Sequence, residues 1–187
     1  MNTKAIIFSI LIVFTTNIFA QDHKEEVKEQ FKIYDLVLQN GQWEKTLDYV
    51  YPKMFEFVPK EKLQQVIKES FSNPGLQISI KDSELKSISK LIELNGVKYA
   101  LVKYSYTMVL THGKEYDLAT VYPSYQQVYG EENVSKDEAN NKVFIKMSKS
   151  LYAIFDTSYG TSWFFLEKIS QNDLMEMLIP KEVMEQL

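Results

Sequence analysis

Hydrophobic and polar positions alternate most clearly between Leu85 and His112, where two apolar-rich runs flank Asn95-Gly96. Asn-Gly between alternating hydrophobics is the strongest short-range hairpin signal, because the tight turn it makes needs positive φ at both positions. With those two residues as the turn, Glu93 faces Lys98, and an opposed charge pair favours that register. Carried further, the same register sets Leu91 against Ala100, Ser89 against Val102, Ser87 against Tyr104 and Leu85 against Tyr106. The even-numbered face then continues through Met108, Leu110 and His112 and requires an apolar cover.

Ahead of the hairpin the period changes. Val27, Phe31, Tyr34 and Leu38 share one helical face, and Gly41 ends that run. Trp43, Leu47 and Val50 predict a short second helix stopped at Tyr51-Pro52; Pro59 opens a third, carried by Leu63, Val66, Ile67 and Phe71 to Asn73-Pro74-Gly75. Leu76 to Lys81 alternates as a short strand or sheet edge. Beyond His112, the residues from Tyr116 to Tyr122 read as a continuation of the sheet, and those from Tyr125 to Gly130 as a brief helical turn.

Asn133 to Asp137 and Lys142 to Phe155 predict a second hairpin. Its longer strand carries Val143, Ile145, Met147, Leu151, Ala153 and Phe155 on one side, with Lys149 breaking the pattern. Trp163 to Ile169 predicts the last strand, Asn172 caps a short helix through Leu178, and Pro180 opens a final turn. Helices first and strands after is the α+β pattern: three N-terminal helices packed on a curved, mainly antiparallel sheet, closed by a short C-terminal helix.

The first twenty residues stand apart from that fold. Lys4, the apolar run from Ala5 to Phe14 and a small residue at Ala20 read as a secretory signal peptide, leaving 21–187 as one exported domain. A membrane anchor needs roughly 20 apolar residues, about twice this run. No other stretch has spanning length, so no membrane span is expected after cleavage. Composition narrows the chemistry further. There is no cysteine, which removes disulfides, thiolate catalysis and Cys-ligated zinc. All 21 basic residues are lysine, so no guanidinium can clamp phosphate or carboxylate, and a net charge of −4 argues against nucleic acid as a partner.

The run from Trp43 through Glu44, Lys45, Thr46, Leu47, Asp48, Tyr49, Val50 and Tyr51 to Pro52, then Phe55 and Val58-Pro59-Lys60, precedes the long hairpin; Trp163-Phe164-Phe165-Leu166 closes the sheet. This order resembles small secreted bacterial proteins of the nuclear transport factor 2-like superfamily. The resemblance implies a curved sheet wrapped against helices as a cone open at its wide end. It leaves function open, because members range from isomerases and dehydratases to binding and scaffold domains. The helix after Asn172 departs from the simplest version of that fold.

Three sets of residues carry candidate chemistry. His112 shares a strand face with Tyr104 and Tyr106, and the resemblance implies a proton-moving Asp, His or Tyr inside the cone. Asp117 and Glu115 follow closely enough to orient it, which would make an isomerase- or dehydratase-type enzyme. The plainer reading is an inert strand-end histidine beside the Gly113 turn. His112, Glu115 and Asp117 fit no recognised metal-ligand spacing, and neither a metal nor a cofactor is expected.

The second set is aromatic. The chain holds 12 Tyr and 11 Phe, and Tyr104 and Tyr106 share their face with Met108, Ser87 and Ser89. That combination suits a pocket with an apolar body and a few polar points for a small apolar or amphipathic ligand; against it, tyrosine is common in strands. The third is the opposite face, where Ile88, Ile92, Leu94, Val97, Tyr99 and Leu101 are too apolar to stay solvated, which suggests a homodimer. Met175, Met177 and Met184 read as ordinary core contacts in preference to a partner surface. The favoured function is a non-catalytic domain binding a small molecule, with the enzyme and the dimerisation module as alternatives.

Overall fold

The computed structural model describes residues 23–169 and 173–187; the signal segment 1–20 and the Asn172 cap lie outside them. The architecture is α+β, built on a six-stranded antiparallel sheet. Helix α1 spans 23–39, two 3-10 turns follow at Trp43–Tyr49 and Pro52–Glu56, and α2 covers Lys60–Phe71. The strands are β1 (Leu76–Ile88), β2 (Ile92–Leu94), β3 (Val97–His112), β4 (Val134–Asp137), β5 (Lys142–Phe155) and β6 (Phe164–Glu167). Helix α3 (Leu118–Tyr129) sits between β3 and β4, and α4 (Asp173–Leu178) and α5 (Lys181–Gln186) follow β6.

Strands β3 and β5 form the middle of the sheet. β1 and β2 share the outer edge of β3, while β4 and β6 share that of β5. The Asn95-Gly96 turn is present with φ of 54° and 77°, and Glu93 faces Lys98. Further from the turn the simple register fails. Irregularities between Leu85 and Ser87, and again between Lys81 and Glu84, shift β1 along its partner. Leu85 therefore faces Tyr104 instead of Tyr106, and Ser87 faces Lys103 instead of Tyr104. Asp82, at φ 52°, marks the second irregularity, since aspartate tolerates the left-handed region better than most residues. The short strand thus merges with the start of the first hairpin strand into one bulged strand, β1, while Ile92–Leu94 stays separate as β2.

A second departure lies between Gly113 and Gly130, where a helix replaces the expected strand. The Asp117 carboxylate accepts the Ala119 N–H at 3.0 Å and caps α3. Leu118, Val121, Tyr122, Tyr125 and Tyr129 then fall at helical spacing and pack on Leu110, Val143 and Ile145. Pro123 lies inside this helix and removes one of its hydrogen bonds, but the apolar stripe prevails.

The middle strands are covered on both faces at one end. On the even-numbered face of β3, Val27 and Phe31 of α1 pack on Ala100, Val102, Tyr104, Leu151, Ala153 and Phe165. Burying each of those two side chains stabilises the fold by about 1.5–3 kcal/mol. On the odd-numbered face, Met175, Leu178, Ile179 and Val183 of the α4–α5 segment cover Tyr99, Leu101, Tyr152 and Ile154. The face proposed for a homodimer is therefore roofed by the chain itself, with Ile92, Leu94 and Val97 packed against the same cluster. Met184 joins it, whereas Met177 is exposed. Tyr51 ties the 3-10 segment to this core, donating its hydroxyl to Asp156 at 2.6 Å. No helix among the described residues is long and apolar enough to cross a membrane.

Candidate functional site

Between the α1 cover and the α3 cover, the even-numbered face of the sheet is left partly open. Tyr104, Tyr106 and Met108 form the floor there, extended by Ile78 and Ile80 from β1, with Ile80 facing Met108 across the sheet. Tyr34 and Leu38 of α1 make one wall, and Trp43, Ile67 and Phe71 make the other. The cleft measures about 220 Å³. Drug-sized pockets usually enclose roughly 300–1,000 Å³, so this one suits a molecule of about one ring or a short chain.

Each wall follows from local sequence. The stripe that buries Val27 and Phe31 continues one and two turns later as Tyr34 and Leu38, so α1 leaves the core and becomes a cleft wall along its own length. Trp43 and Phe71 stack with ring centres 4.2 Å apart and planes 11° from parallel, joining the first 3-10 turn to the end of α2. Tyr104 and Tyr106 stack at 5.7 Å, and Phe31 meets Tyr104 edge-on at 5.1 Å, so the core fixes the floor.

The polar points are three phenols, a carboxylate and Thr46, whose hydroxyl is occupied in donating to the Trp43 carbonyl at 2.6 Å. The hydroxyls of Tyr34, Tyr104 and Tyr106 have no hydrogen-bond partner, yet the one fully enclosed side-chain polar atom without a partner among the described residues is His112 Nδ1. The three hydroxyls therefore keep some accessible surface, and all three tyrosines line the cleft. Burial pushes the Tyr34 phenol well up, helped by the Glu167 carboxylate. Burial, its two neighbouring phenols and Glu167 do the same for Tyr104. Tyr106 rises to about 12 through burial, Glu167 and Tyr129. All three are thus neutral near pH 7, able to donate or accept a hydrogen bond but not to act as bases. Glu167 completes the lining, and Lys149 pairs with its Oε1 from the neighbouring strand.

The remaining sequence candidates lie elsewhere. Ser87 is exposed, and Ser89 is occupied with backbone, its hydroxyl accepting the Leu101 N–H at 2.9 Å. Neither lines the cleft: the shift in β1 sets Leu85 in place of Ser87 opposite Tyr104, and it is Ile80, opposite Met108, and Ile78 that extend the floor. His112 is buried near the α3 end of the sheet, with Nε2 3.2 Å from the Tyr125 hydroxyl and burial lowering its pKa. Asp117 does not join it: both carboxylate oxygens serve α3, accepting from Ala119 N–H and the Thr120 hydroxyl. Glu115 is exposed, and no group of three His, Asp or Glu among the described residues could hold a metal ion.

The sequence reading did not place Tyr34, Leu38, Trp43, Ile67 or Phe71 against this face, since helical periodicity says which side is buried and not what it meets. Glu167 was within reach. It follows Phe165 by two along β6, and Lys149 breaks the apolar pattern of β5, so each is the other's explanation.

The fold and site define an α+β domain with an aromatic cleft on one sheet face. No protein-family model, curated protein or solved structure matches the chain.

Proposed function

We propose that this chain is an exported, non-catalytic domain that holds a small amphipathic molecule in the cleft between α1, α2 and the sheet. The cone-like, nuclear transport factor 2-like arrangement suggested by the order of elements belongs to the same proposal. The supporting observation is that three tyrosines whose hydroxyls have no hydrogen-bond partner and are not fully enclosed line a mainly apolar and aromatic space. Such groups, neutral near pH 7, can orient a ligand by hydrogen bonds. The acid/base alternative loses its second member, because Asp117 is taken up in capping α3.

The test is thermal-shift screening with fragment-sized aromatic and short-chain amphiphiles, on the wild type and on Ile80→Trp, which fills the cleft. A ligand at 100 times its Kd adds about 2.7 kcal/mol, or roughly 5–10 °C for a domain of this size. The expected result is a saturable rise in Tm for the wild type that Ile80→Trp abolishes. No rise with any compound, or the same rise in the filled variant, would refute the proposal.

A further inference from the structure

The proposed binding role leaves the ligand's charge open, and the lining of the cleft bears on it. Five of its walls are aromatic rings, from Tyr34, Trp43, Phe71, Tyr104 and Tyr106, and its single charged lining group is the Glu167 carboxylate. Lysine supplies every positive charge in this chain besides histidine, yet no lysine lines the space. Lys149 reaches Glu167 from the adjacent strand and engages Oε1, which leaves Oε2 without a partner. Tyr104 is 5% exposed overall, yet its hydroxyl is not fully enclosed.

Electron-rich ring faces attract cations, and do so more strongly as the site is desolvated. Phenol oxygens and a half-free carboxylate accept hydrogen bonds, which is what an ammonium group with three N–H donors requires. An anionic head would instead meet Glu167, whose charge is offset only by the Lys149 pair from outside the lining. From this convergence we infer that the cleft selects an organic cation, a small primary amine with an apolar or aromatic body, and that Glu167 determines that selectivity. The inference rests on the binding role proposed above. The contribution of Glu167 to the raised pKa values of all three phenols is in keeping with it, since the negative potential that disfavours a phenolate favours an ammonium.

Three probes with the same phenyl-ethyl body separate the possibilities: 2-phenylethylamine, 2-phenylethanol and 3-phenylpropionate, titrated calorimetrically at pH 7. The amine is expected to bind about tenfold more tightly than the alcohol, with the acid weakest. Glu167→Gln should bring the amine down to the alcohol and leave the alcohol unchanged. Lys149→Met, which removes the competing cation, should tighten the amine alone. Lys149 is half-buried and Glu167 exposed, so circular dichroism should show the wild-type fold in each variant.

If the alcohol or the acid binds as well as the amine, the cation selectivity is wrong while the cleft remains a binding site. If the amine keeps its wild-type advantage over the alcohol in Glu167→Gln, or still binds the filled Ile80→Trp variant, the inference is overturned. If none of the three binds, it is likewise overturned, and the wider fragment panel then decides the binding role by itself.

Discussion

Replacing Tyr51 with phenylalanine tests the polar link between the 3-10 segment and the end of β5. Tyr51 is 3% exposed and Asp156 is 6% exposed, and the hydroxyl donates to Oδ2 at 2.6 Å while the Ser158 N–H reaches Oδ1 at 2.9 Å. Phenylalanine keeps the packing against Tyr159 and Phe164 but leaves the carboxylate half satisfied. A hydrogen bond to a charged group contributes about 1.5–3 kcal/mol. Tyr51→Phe should therefore lose about that much at pH 7 and lower Tm by roughly 4–10 °C. The pH dependence sharpens the test. Burial drives the Asp156 carboxyl up, but the Tyr51 hydroxyl and the Ser158 N–H outweigh it and hold the group below its usual 3.8.

A depressed folded-state pKa means that the unfolded chain takes up the proton first. The contribution is fully present above the unfolded value and is lost as pH falls through the folded one. Urea melts of wild type and Tyr51→Phe should accordingly differ most at neutral pH and converge below about pH 4. A difference under about 0.5 kcal/mol at pH 7, or one that stays constant down to pH 3, would show that the buried pair does not work in this way.

Three further outcomes follow from residues outside that pair. Phe31→Ala should cost about 3–5 kcal/mol in chemical denaturation, because its ring meets Tyr34, Tyr104 and Phe165 and leaves a void under α1; a loss under about 1 kcal/mol would contradict that packing. Burial lowers the His112 pKa below 6.5, so the unfolded chain binds the proton first and stability should fall as pH drops beneath that value. His112→Leu should flatten this dependence, as read from melts across the pH range. Gly96→Ala forces a side chain into a φ of 77°; open space surrounds the position, so backbone strain alone should remove about 1 kcal/mol.

Local chemistry explains which parts of this fold could be read from the sequence. The Asn95-Gly96 turn, the second hairpin and the α1 stripe depend on near neighbours, and they appear where their spacing predicts; α2 also forms there, but none of its residues is buried and Val66 is exposed. The slip in β1 depends on how the strand accommodates β3 over its whole length, and nothing in Asp82-Ser83 announces it. Helix α3 was within reach, since Asp117 is a strong capping residue and Leu118, Val121, Tyr122 and Tyr125 repeat at helical spacing; Pro123 concealed it. For the cleft, the floor residues Tyr104, Tyr106 and Met108 followed from strand alternation. The walls came from elements distant in sequence, whose docking no periodicity specifies.

The position of α4 and α5 in the chain has a consequence for biogenesis. As the polypeptide is made, β3 and β5 emerge before residues 173–187, so Tyr99, Leu101, Tyr152 and Ile154 lack that cover until the end of the chain is out. A ribosome stalled, or a protease nick made, ahead of Asp173 would leave this greasy surface permanently open. Its most available substitute roof is another such molecule, so the shortened product should clump where the full-length one stays dispersed.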